Sequence, residues 1–196
     1  MLINLSGGGS INKNATIERA PAKELATDIH FRKPNKDDGA SVWELIRHTG
    51  VLDLNSSYSY VMWCEIFSDT SVVAVKDDQI VGFISGYIRP DQPNTLFIWQ
   101  VAVHEEGRGR GLGTKMLFEL LNREASQQVT YVEATVAPSN TPSQNLFKGL
   151  AKKLDTDYEI DTYFTADDFP GEGHEDEPLF KIGPFQEENK IVKGMI

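Results

Sequence analysis

The chain has 196 residues, of which 40% are hydrophobic and 24% charged, and its formal net charge is −10. This length predicts one domain with a sizeable core. The negative charge argues against nucleic acids and anionic membranes as partners, because it repels phosphate groups. No apolar stretch is long enough to span a bilayer, and the single cysteine, Cys64, fits a reducing cytoplasm.

The N-terminal part divides into a polar tail and the start of a domain. Residues 1–28 contain the run SGGGS without any periodicity, which predicts a flexible tail ahead of one domain at 29–196. A short strand is expected at 29–31. An acidic start and a stop at Gly50 then predict an amphipathic helix, whose inner face carries Val42, Leu45, Ile46 and Thr49. A second helix is expected within the polar-aromatic stretch 51–67.

Three strands are predicted in the middle of the chain. Valines at 72–75, a turn at Asp77–Asp78 and the apolar run 80–88 indicate a hairpin. The run 96–103 indicates a further strand. Strict alternation would place four of its side chains on one face: Phe97, Trp99, Val101 and Val103.

The C-terminal half alternates helices and strands. A helix is expected from Leu112, a strand at 129–136, a helix from Pro142, and strands near 158–164 and 178–183 around an acidic loop. The order βααβββαβαββ predicts an α/β (α+β) arrangement. Only strands 96–103 and 129–136 require a parallel crossover through a helix.

The segment RGRGLG at 108–113, called here the glycine-arginine turn, lies between a predicted strand and a predicted helix. Its glycines allow a tight turn that directs successive N–H groups at one point, and the helix N-terminus adds further donors. With Arg108 and Arg110 this indicates a pyrophosphate site. A turn without a ligand is the alternative. The patterns G-x-x-x-x-G-K-[ST] and G-x-G-x-x-G are both absent.

The glycine-arginine turn has the pattern [QR]-x-x-G-x-[GA] after a strand, and a later strand is followed by Asn140 and a helix. Both features resemble the GNAT superfamily of N-acetyltransferases, over about residues 29–184. The resemblance implies a GNAT-like fold, with a mixed, mostly antiparallel sheet splayed between strands 96–103 and 129–136 and helices on both faces. It also implies acetyl-CoA as cosubstrate, without a metal, held by Val101, Ala102, Val103, Arg108, Gly109, Arg110, Gly111, Leu112, Gly113, Thr114, Asn140 and Phe147.

Five dispersed stretches are similar to one branch of this superfamily, the L-2,4-diaminobutyrate acetyltransferases of ectoine biosynthesis. They are LDLNSSYSY (52–60), TSVVAV (70–75), FIWQVAV (97–103), SQNLF (143–147) and HEDEPLFKIGPF (174–185). The similarity implies transfer of acetyl to the 4-amino group of L-2,4-diaminobutyrate, a cytoplasmic role in osmotic stress, and a homodimer. Two alternatives stay open: a GNAT enzyme for another small amine, such as a polyamine or aminoglycoside, and a non-catalytic acetyl-CoA-binding protein.

The chemistry requires a proton acceptor. An amine attacks a thioester only as the free base, and neutralising a lysine-like ammonium at pH 7 costs about 4–5 kcal/mol. Glu133 is one candidate, because a carboxylate on an apolar strand either serves a site or pairs with a buried cation. His174 and Glu177 are the others, with a solvated loop as the alternative. No second histidine or cysteine stands at metal-ligand spacing.

The amino-acid acceptor also needs anionic groups for its ammonium and donors for its carboxylate. Asp53 is predicted to bind it, because the loop between the first two helices covers the acceptor in GNAT proteins; a simple turn residue is the alternative. The same alternatives apply to Asn55, Ser57 and Tyr58. The resemblance places Trp99 and Gln100 at the wall of the acceptor site, with core packing as the alternative for Trp99.

Phe147 departs from the family pattern. Many GNAT proteins have tyrosine there, and its hydroxyl protonates the leaving thiolate, which phenylalanine cannot do. Either Tyr58 or water supplies this proton, or the thiolate leaves unassisted, which a thiol with a pKa near 8.5 tolerates. This residue is also the one feature that favours the non-catalytic alternative.

Overall fold

The computed structural model describes residues 29–50, 52, 54–171 and 173–191. Its strands and helices follow the predicted order, and the predicted tail at 1–28 lies outside the described residues. The elements are β1 (His30–Arg32), α1 (Gly39–Thr49), α2 (Ser57–Glu65), β2 (Val72–Lys76), β3 (Gln79–Arg89), β4 (Gln92–Val103), α3 (Leu112–Leu121), β5 (Tyr131–Thr135), α4 (Thr141–Lys153), β6 (Tyr158–Phe164) and β7 (Glu177–Ile182).

The strands form one mixed sheet in the order β1-β2-β3-β4-β5-β7-β6. The pair β4–β5 is parallel, with α3 as its crossover, and the other neighbouring pairs are antiparallel. Asp77 and Asp78, with φ of 49° and 60°, form the turn of the β2–β3 hairpin. The predicted sheet type and the single parallel crossover are confirmed.

Helices cover both faces of the sheet, as predicted. On one face α1 and α2 bury Val42, Ile46 and Tyr60 against strand residues that include Phe83. On the other face α3 and α4 bury leucines and Met116 in a larger core. Burial on both faces explains why the central strands read as nearly continuous apolar runs. No helix in the described part of the chain is long and apolar enough to cross a bilayer.

Strand β4 contains a bulge at Trp99. In register with β3, Gln100 lies opposite Ser85 and Ile98 lies opposite Gly86, so Trp99 is the extra residue. A Cβ on Gly86 would lie 2.7 Å from the carbonyl oxygen of Phe97, which requires glycine opposite the bulge.

The bulge overturns the predicted four-residue face of β4. Phe97 and Trp99 contact aromatic rings on the α1–α2 side, whereas Val101 and Val103 pack against the α3–α4 core. The prediction was wrong because one extra residue reverses the alternation of side chains.

The sheet separates between β4 and β5, which confirms the predicted splay. Their ladder joins Thr95–Phe97 to Tyr131–Glu133. Beyond these residues β4 stays paired with β3, and β5 stays paired with β7. The two strand ends therefore diverge and leave a gap toward the N-terminus of α3.

Candidate active site

A cleft of about 560 Å³ occupies the gap between the diverging strands. One wall is the bulged half of β4, and the other is the end of β5 with the loop that leads into α4. The loop between β6 and β7 closes one side, and the α1–α2 segment contributes Leu52 and Asn55. Polar groups from four separate parts of the chain therefore meet around one open cleft.

The glycine-arginine turn has the backbone expected of an anion site. Gly109 and Gly111 have φ of 72° and 73°, in the left-handed region that favours glycine. Gly111 is the N-cap of α3 and supplies no capping side chain, so the first N–H groups of the helix have no side-chain cap. The Leu112 side chain is buried in the core, so Leu112 contributes to the turn through its main-chain N–H. This arrangement fits a diphosphate.

The two arginines of the turn differ in their surroundings. Arg108 Nε donates to the carbonyl oxygen of Val103 at 3.1 Å, which ties the turn to the end of β4. Arg110 is exposed. Within 4 Å of a Cβ built on Gly113 lie Leu146 at 3.4 Å and Val101 at 3.9 Å, so this glycine permits close packing of α3 on α4 and β4.

The remaining predicted cofactor residues divide between the cleft and the core. Val101, Asn140 and Phe147 line the cleft, whereas Ala102 is buried on the α1–α2 side. Asn140 caps α4 by accepting from the N–H of Ser143 at 3.1 Å. The Phe147 ring is buried and lies 6.3 Å from the ring of Phe180, so it is held in place by the core.

The predicted acceptor residues are only partly brought together. Trp99 and Gln100 line the cleft, and Trp99 stacks on Trp63 with a centroid distance of 6.1 Å. Asn55 also lines it, and its N–H donates to the Tyr60 hydroxyl at 3.2 Å. Ser57 and Tyr58 lie in the first turn of α2, outside the described lining of the cleft, and Tyr58 is 75% exposed. Asp53 lies outside the described residues.

Glu133 is 2% exposed and pairs with a cation. Its Oε2 accepts from Arg89 Nη1 at 2.6 Å, and Arg89 also binds Asp91 at the β3–β4 turn. The hydrogen bonds to Asp91 and Glu133 raise the pKa of Arg89. The geometry favours the buried-cation interpretation of Glu133, which lies outside the described lining of the cleft; a role in proton transfer stays a prediction.

His174 and Glu177 both line the cleft. The His174 ring stacks on Phe169 at 4.9 Å with an interplanar angle of 16°. Glu177 begins β7 and lies opposite Phe164. In the same loop the Asp176 carboxylate accepts from the N–H of Ala166 at 2.9 Å. Among the described residues no group of three histidine, cysteine, aspartate or glutamate side chains is placed to hold a metal ion.

Several lining residues were not assigned from the sequence, among them Ser139, Phe164, Phe169 and Glu175. Ser139 stands directly before the helix-capping Asn140, Phe164 ends the strand before the predicted acidic loop, and Phe169 and Glu175 lie within that loop. The available signal was therefore their position in the chain close to predicted site residues. That signal was too weak, because only the return of β7 beside β5 brings the loop to the cleft.

Comparison with known proteins gives a consistent result. The profile of the acetyltransferase (GNAT) family matches residues 40–151. The L-2,4-diaminobutyric acid acetyltransferase of Virgibacillus pantothenticus is 62% identical over 156 residues, which cover 80% of this chain and 98% of that protein. The L-2,4-diaminobutyric acid acetyltransferase of Oceanobacillus iheyensis is 55% identical over 172 residues, covering 84% and 95%.

Solved structures agree at the level of the fold. Diaminobutyrate acetyltransferase EctA from Paenibacillus lautus, in complex with its substrate L-2,4-diaminobutyric acid and coenzyme A, has a TM-score of 0.79 and 46% identity, covering 82% of this chain and 97% of that one. An acetyltransferase from Thermus thermophilus has a TM-score of 0.56 at 12% identity, covering 79% and 96%, and it supports the fold alone.

Proposed function

The chain belongs to the GNAT family of acetyltransferases, and from this premise we propose that it transfers acetyl from acetyl-CoA to the 4-amino group of L-2,4-diaminobutyrate. The product would be N4-acetyl-L-2,4-diaminobutyrate, an intermediate of ectoine synthesis in a cytoplasmic response to osmotic stress. The observation that carries the proposal is the cleft at the strand gap, lined by acidic and aromatic residues, in a chain 62% identical to a diaminobutyrate enzyme over 156 residues. The glycine-arginine turn lies outside the described lining of this cleft and adjoins it through Gly113, which packs beside the lining residue Val101.

The cofactor side fits a coenzyme A diphosphate. The main-chain N–H groups at Gly111 and the start of α3 supply fixed donors, and Arg108 and Arg110 add positive charge. Because this field is local, an acidic protein still binds a polyanion. Beyond Phe97 the edge of β4 that faces β5 has left the parallel ladder, which leaves main-chain groups near Val101 for the pantetheine arm and the thioester carbonyl.

The acceptor side supplies the groups that a diamine with a carboxylate requires. His174 and Glu177 lie on the cleft wall and are the proposed proton acceptor and ammonium ligand. Trp99 presents a half-exposed ring against which an ammonium can pack. The amine loses a proton, attacks the thioester carbon, and forms an amide bond as the carbon–sulfur bond to coenzyme A breaks.

The leaving thiolate needs no enzymic acid in this proposal. Phe147 has no hydroxyl, and the exposed Tyr58 is not among the described residues that line the cleft. A coenzyme A thiol has a pKa near 8.5, so its thiolate is a tolerable leaving group and takes its proton from water. The buried Phe147 ring then serves as a wall of the pantetheine channel.

Thiol release with acetyl-CoA and a panel of amines tests the function. L-2,4-Diaminobutyrate should give rapid release, and spermidine or an aminoglycoside should give little. NMR of the product should place the acetyl group on the 4-nitrogen. Preference for a polyamine would support the alternative amine, and coenzyme A binding without turnover of any amine would support the non-catalytic reading.

A further inference from the structure

Glu175 joins the two loops that face each other across the cleft. Its Oε1 accepts from the Ser139 hydroxyl at 2.5 Å, and its Oε2 accepts from the Ser139 N–H at 3.1 Å. Ser139 belongs to the loop between β5 and α4, on the cofactor side, whereas Glu175 belongs to the loop between β6 and β7. Both side chains line the cleft. The contact is called here the Ser139–Glu175 latch.

The latch continues the pairing of β5 with β7 beyond the end of their ladder. The last ladder pair is Thr135 with Leu179, and the next main-chain bond runs from the Val136 N–H to the Pro178 oxygen at 3.1 Å. Beyond these residues the β5 segment leaves the sheet, whereas Glu177 of β7 stays paired with Phe164 of β6. The Glu175 carboxylate then takes the place of a main-chain acceptor, and its contact with Ser139 holds the two segments together at the cleft.

The two loops are each braced from within. In the β6–β7 loop Asp168 caps the turn at Thr165, and His174 stacks on Phe169. On the other side, Gln144 Nε2 donates to the oxygen of Pro138 at 2.9 Å. Two braced loops joined by a bidentate contact move together, so the distance between His174 and the start of α4 depends on the latch.

We propose that Glu175 is a positioning residue that sets the length of amine the cleft admits. Resting on the proposed function, this inference names the specificity determinant of the same site. By holding Ser139, Glu175 keeps the adjacent His174 at a fixed distance from the cofactor side. A longer side chain would have to displace the β6–β7 loop and break two hydrogen bonds, one of which comes from a main-chain donor.

Steady-state kinetics of Glu175→Ala with three acceptors tests the latch. L-2,4-Diaminobutyrate, L-ornithine and L-lysine differ by one methylene at each step. In the variant the KM for L-2,4-diaminobutyrate should rise about tenfold, since a charge-assisted contact is lost. The ratio of kcat/KM for L-2,4-diaminobutyrate to kcat/KM for L-lysine should fall about tenfold. The dissociation constant of coenzyme A should change less than about twofold, because the glycine-arginine turn is untouched.

Two further variants separate the latch from a general loss of structure. Ser139→Ala removes the hydroxyl but keeps the N–H donor, so its KM and acceptor preference should shift in the same direction by a smaller factor. The double variant Ser139→Ala/Glu175→Ala should have the same KM and acceptor preference as Glu175→Ala alone. Glu188→Ala removes an exposed carboxylate in the 3₁₀ turn after β7 and should behave as wild type. Hydrogen exchange of the Ser139 main-chain N–H should be faster in Glu175→Ala, because its acceptor is lost. This measurement tests the latch without depending on turnover.

The possible outcomes distinguish failure of this inference from failure of the proposed function. Wild-type KM and acceptor preference in Glu175→Ala would overturn the latch, provided that the wild-type enzyme acetylates L-2,4-diaminobutyrate. A loss of kcat with a shifted pH profile and an unchanged KM would instead make Glu175 a proton acceptor, which also overturns it. If the wild-type protein releases no thiol with any diamine, the proposed function fails instead.

Discussion

At the scale of single residues, the Arg89–Glu133 pair links β3 to β5 across the strand between them. Glu133 stands opposite Phe97, at the last rung before β4 and β5 separate. Its carboxylate is almost fully buried, so its charge is stabilised by the guanidinium rather than by water. The pair therefore lies at the point from which the cleft opens.

Removing one partner of this pair should be costly. Glu133→Ala leaves a mostly buried guanidinium without its inner acceptor, and we expect a loss of about 3 kcal/mol in the free energy of unfolding, measured in urea. The double variant Arg89→Met/Glu133→Leu should recover most of this loss, because an apolar pair needs no desolvation of charge. Asp91→Asn, at the exposed end of the same arginine, is the control and should stay near wild type. Equal stability of Glu133→Ala and wild type would contradict the role of the pair.

At the scale of elements, the glycine-arginine turn depends on backbone conformations that other residues rarely adopt. Gly111 has φ of 73° directly before α3, and a Cβ built there meets no atom within 4 Å. Gly111 is exposed, so this space opens to solvent beside the proposed anion site. A substitution there changes conformational energy and access to the N–H donors, without creating a clash.

Gly111→Ala should therefore separate binding from packing. We expect a loss of about 1 kcal/mol in stability from the left-handed backbone and a rise of about tenfold in the dissociation constant of coenzyme A, measured by calorimetry. Gly149→Ala, in α4, is the matched control, since that position also has open space but no positive φ. It should bind coenzyme A normally and gain about 0.5–1 kcal/mol in stability. Unchanged affinity in Gly111→Ala would argue against the diphosphate site.

The junction of β1 with α1 should carry part of the pH dependence of stability. The Asp38 carboxylate accepts from two nitrogens of Arg32, at 2.7 and 2.8 Å, and from the Asn35 N–H. Burial alone would raise the pKa of Asp38, but the hydrogen bonds outweigh it and the pKa is lowered. Its contribution is thus full above the unfolded-state pKa of about 3.9 and is lost as the pH falls through the folded value.

Asp38→Asn should remove that contribution. The difference in melting temperature between wild type and variant should be largest above about pH 5 and should shrink below about pH 4, as followed by circular dichroism. A difference that stays constant down to acid pH would mean that the carboxylate charge is not what stabilises the junction.

At the scale of the whole molecule, β6 is an edge strand whose residues are all exposed. It presents large apolar side chains to solvent: Tyr158, Ile160, Tyr163 and Phe164. An edge of this kind offers unpaired main-chain groups together with an apolar surface, which favours pairing with another chain. We propose this surface as the interface of the homodimer that the sequence resemblance predicts.

Substitution on this edge tests the dimer. We expect the wild-type protein to sediment as a dimer and Ile160→Lys to sediment as a monomer, because a charge on the shared surface costs its desolvation. Ile66→Lys introduces the same change at an isoleucine that is 69% exposed at the end of α2, and it should leave the dimer intact. Dimers of Ile160→Lys would place the interface elsewhere.

The sequence by itself determined the order of elements, the mixed sheet with its single parallel crossover, and the glycine-arginine turn. These are local properties, since periodicity, turn residues and a glycine motif act over a few neighbouring positions. The resemblance of the glycine-arginine turn to the GNAT motif supplied the cofactor, and the resemblance of dispersed segments supplied the amine.

The tertiary structure alone decided which side chains share the cleft. The bulge at Trp99 depends on how β3 pairs with β4, the partner of Glu133 comes from another strand, and Glu175 reaches Ser139 only because β7 returns beside β5. Each is a contact between residues far apart in the chain. Such contacts follow from strand pairing and burial in the folded sheet, so residue type and local spacing did not reveal them.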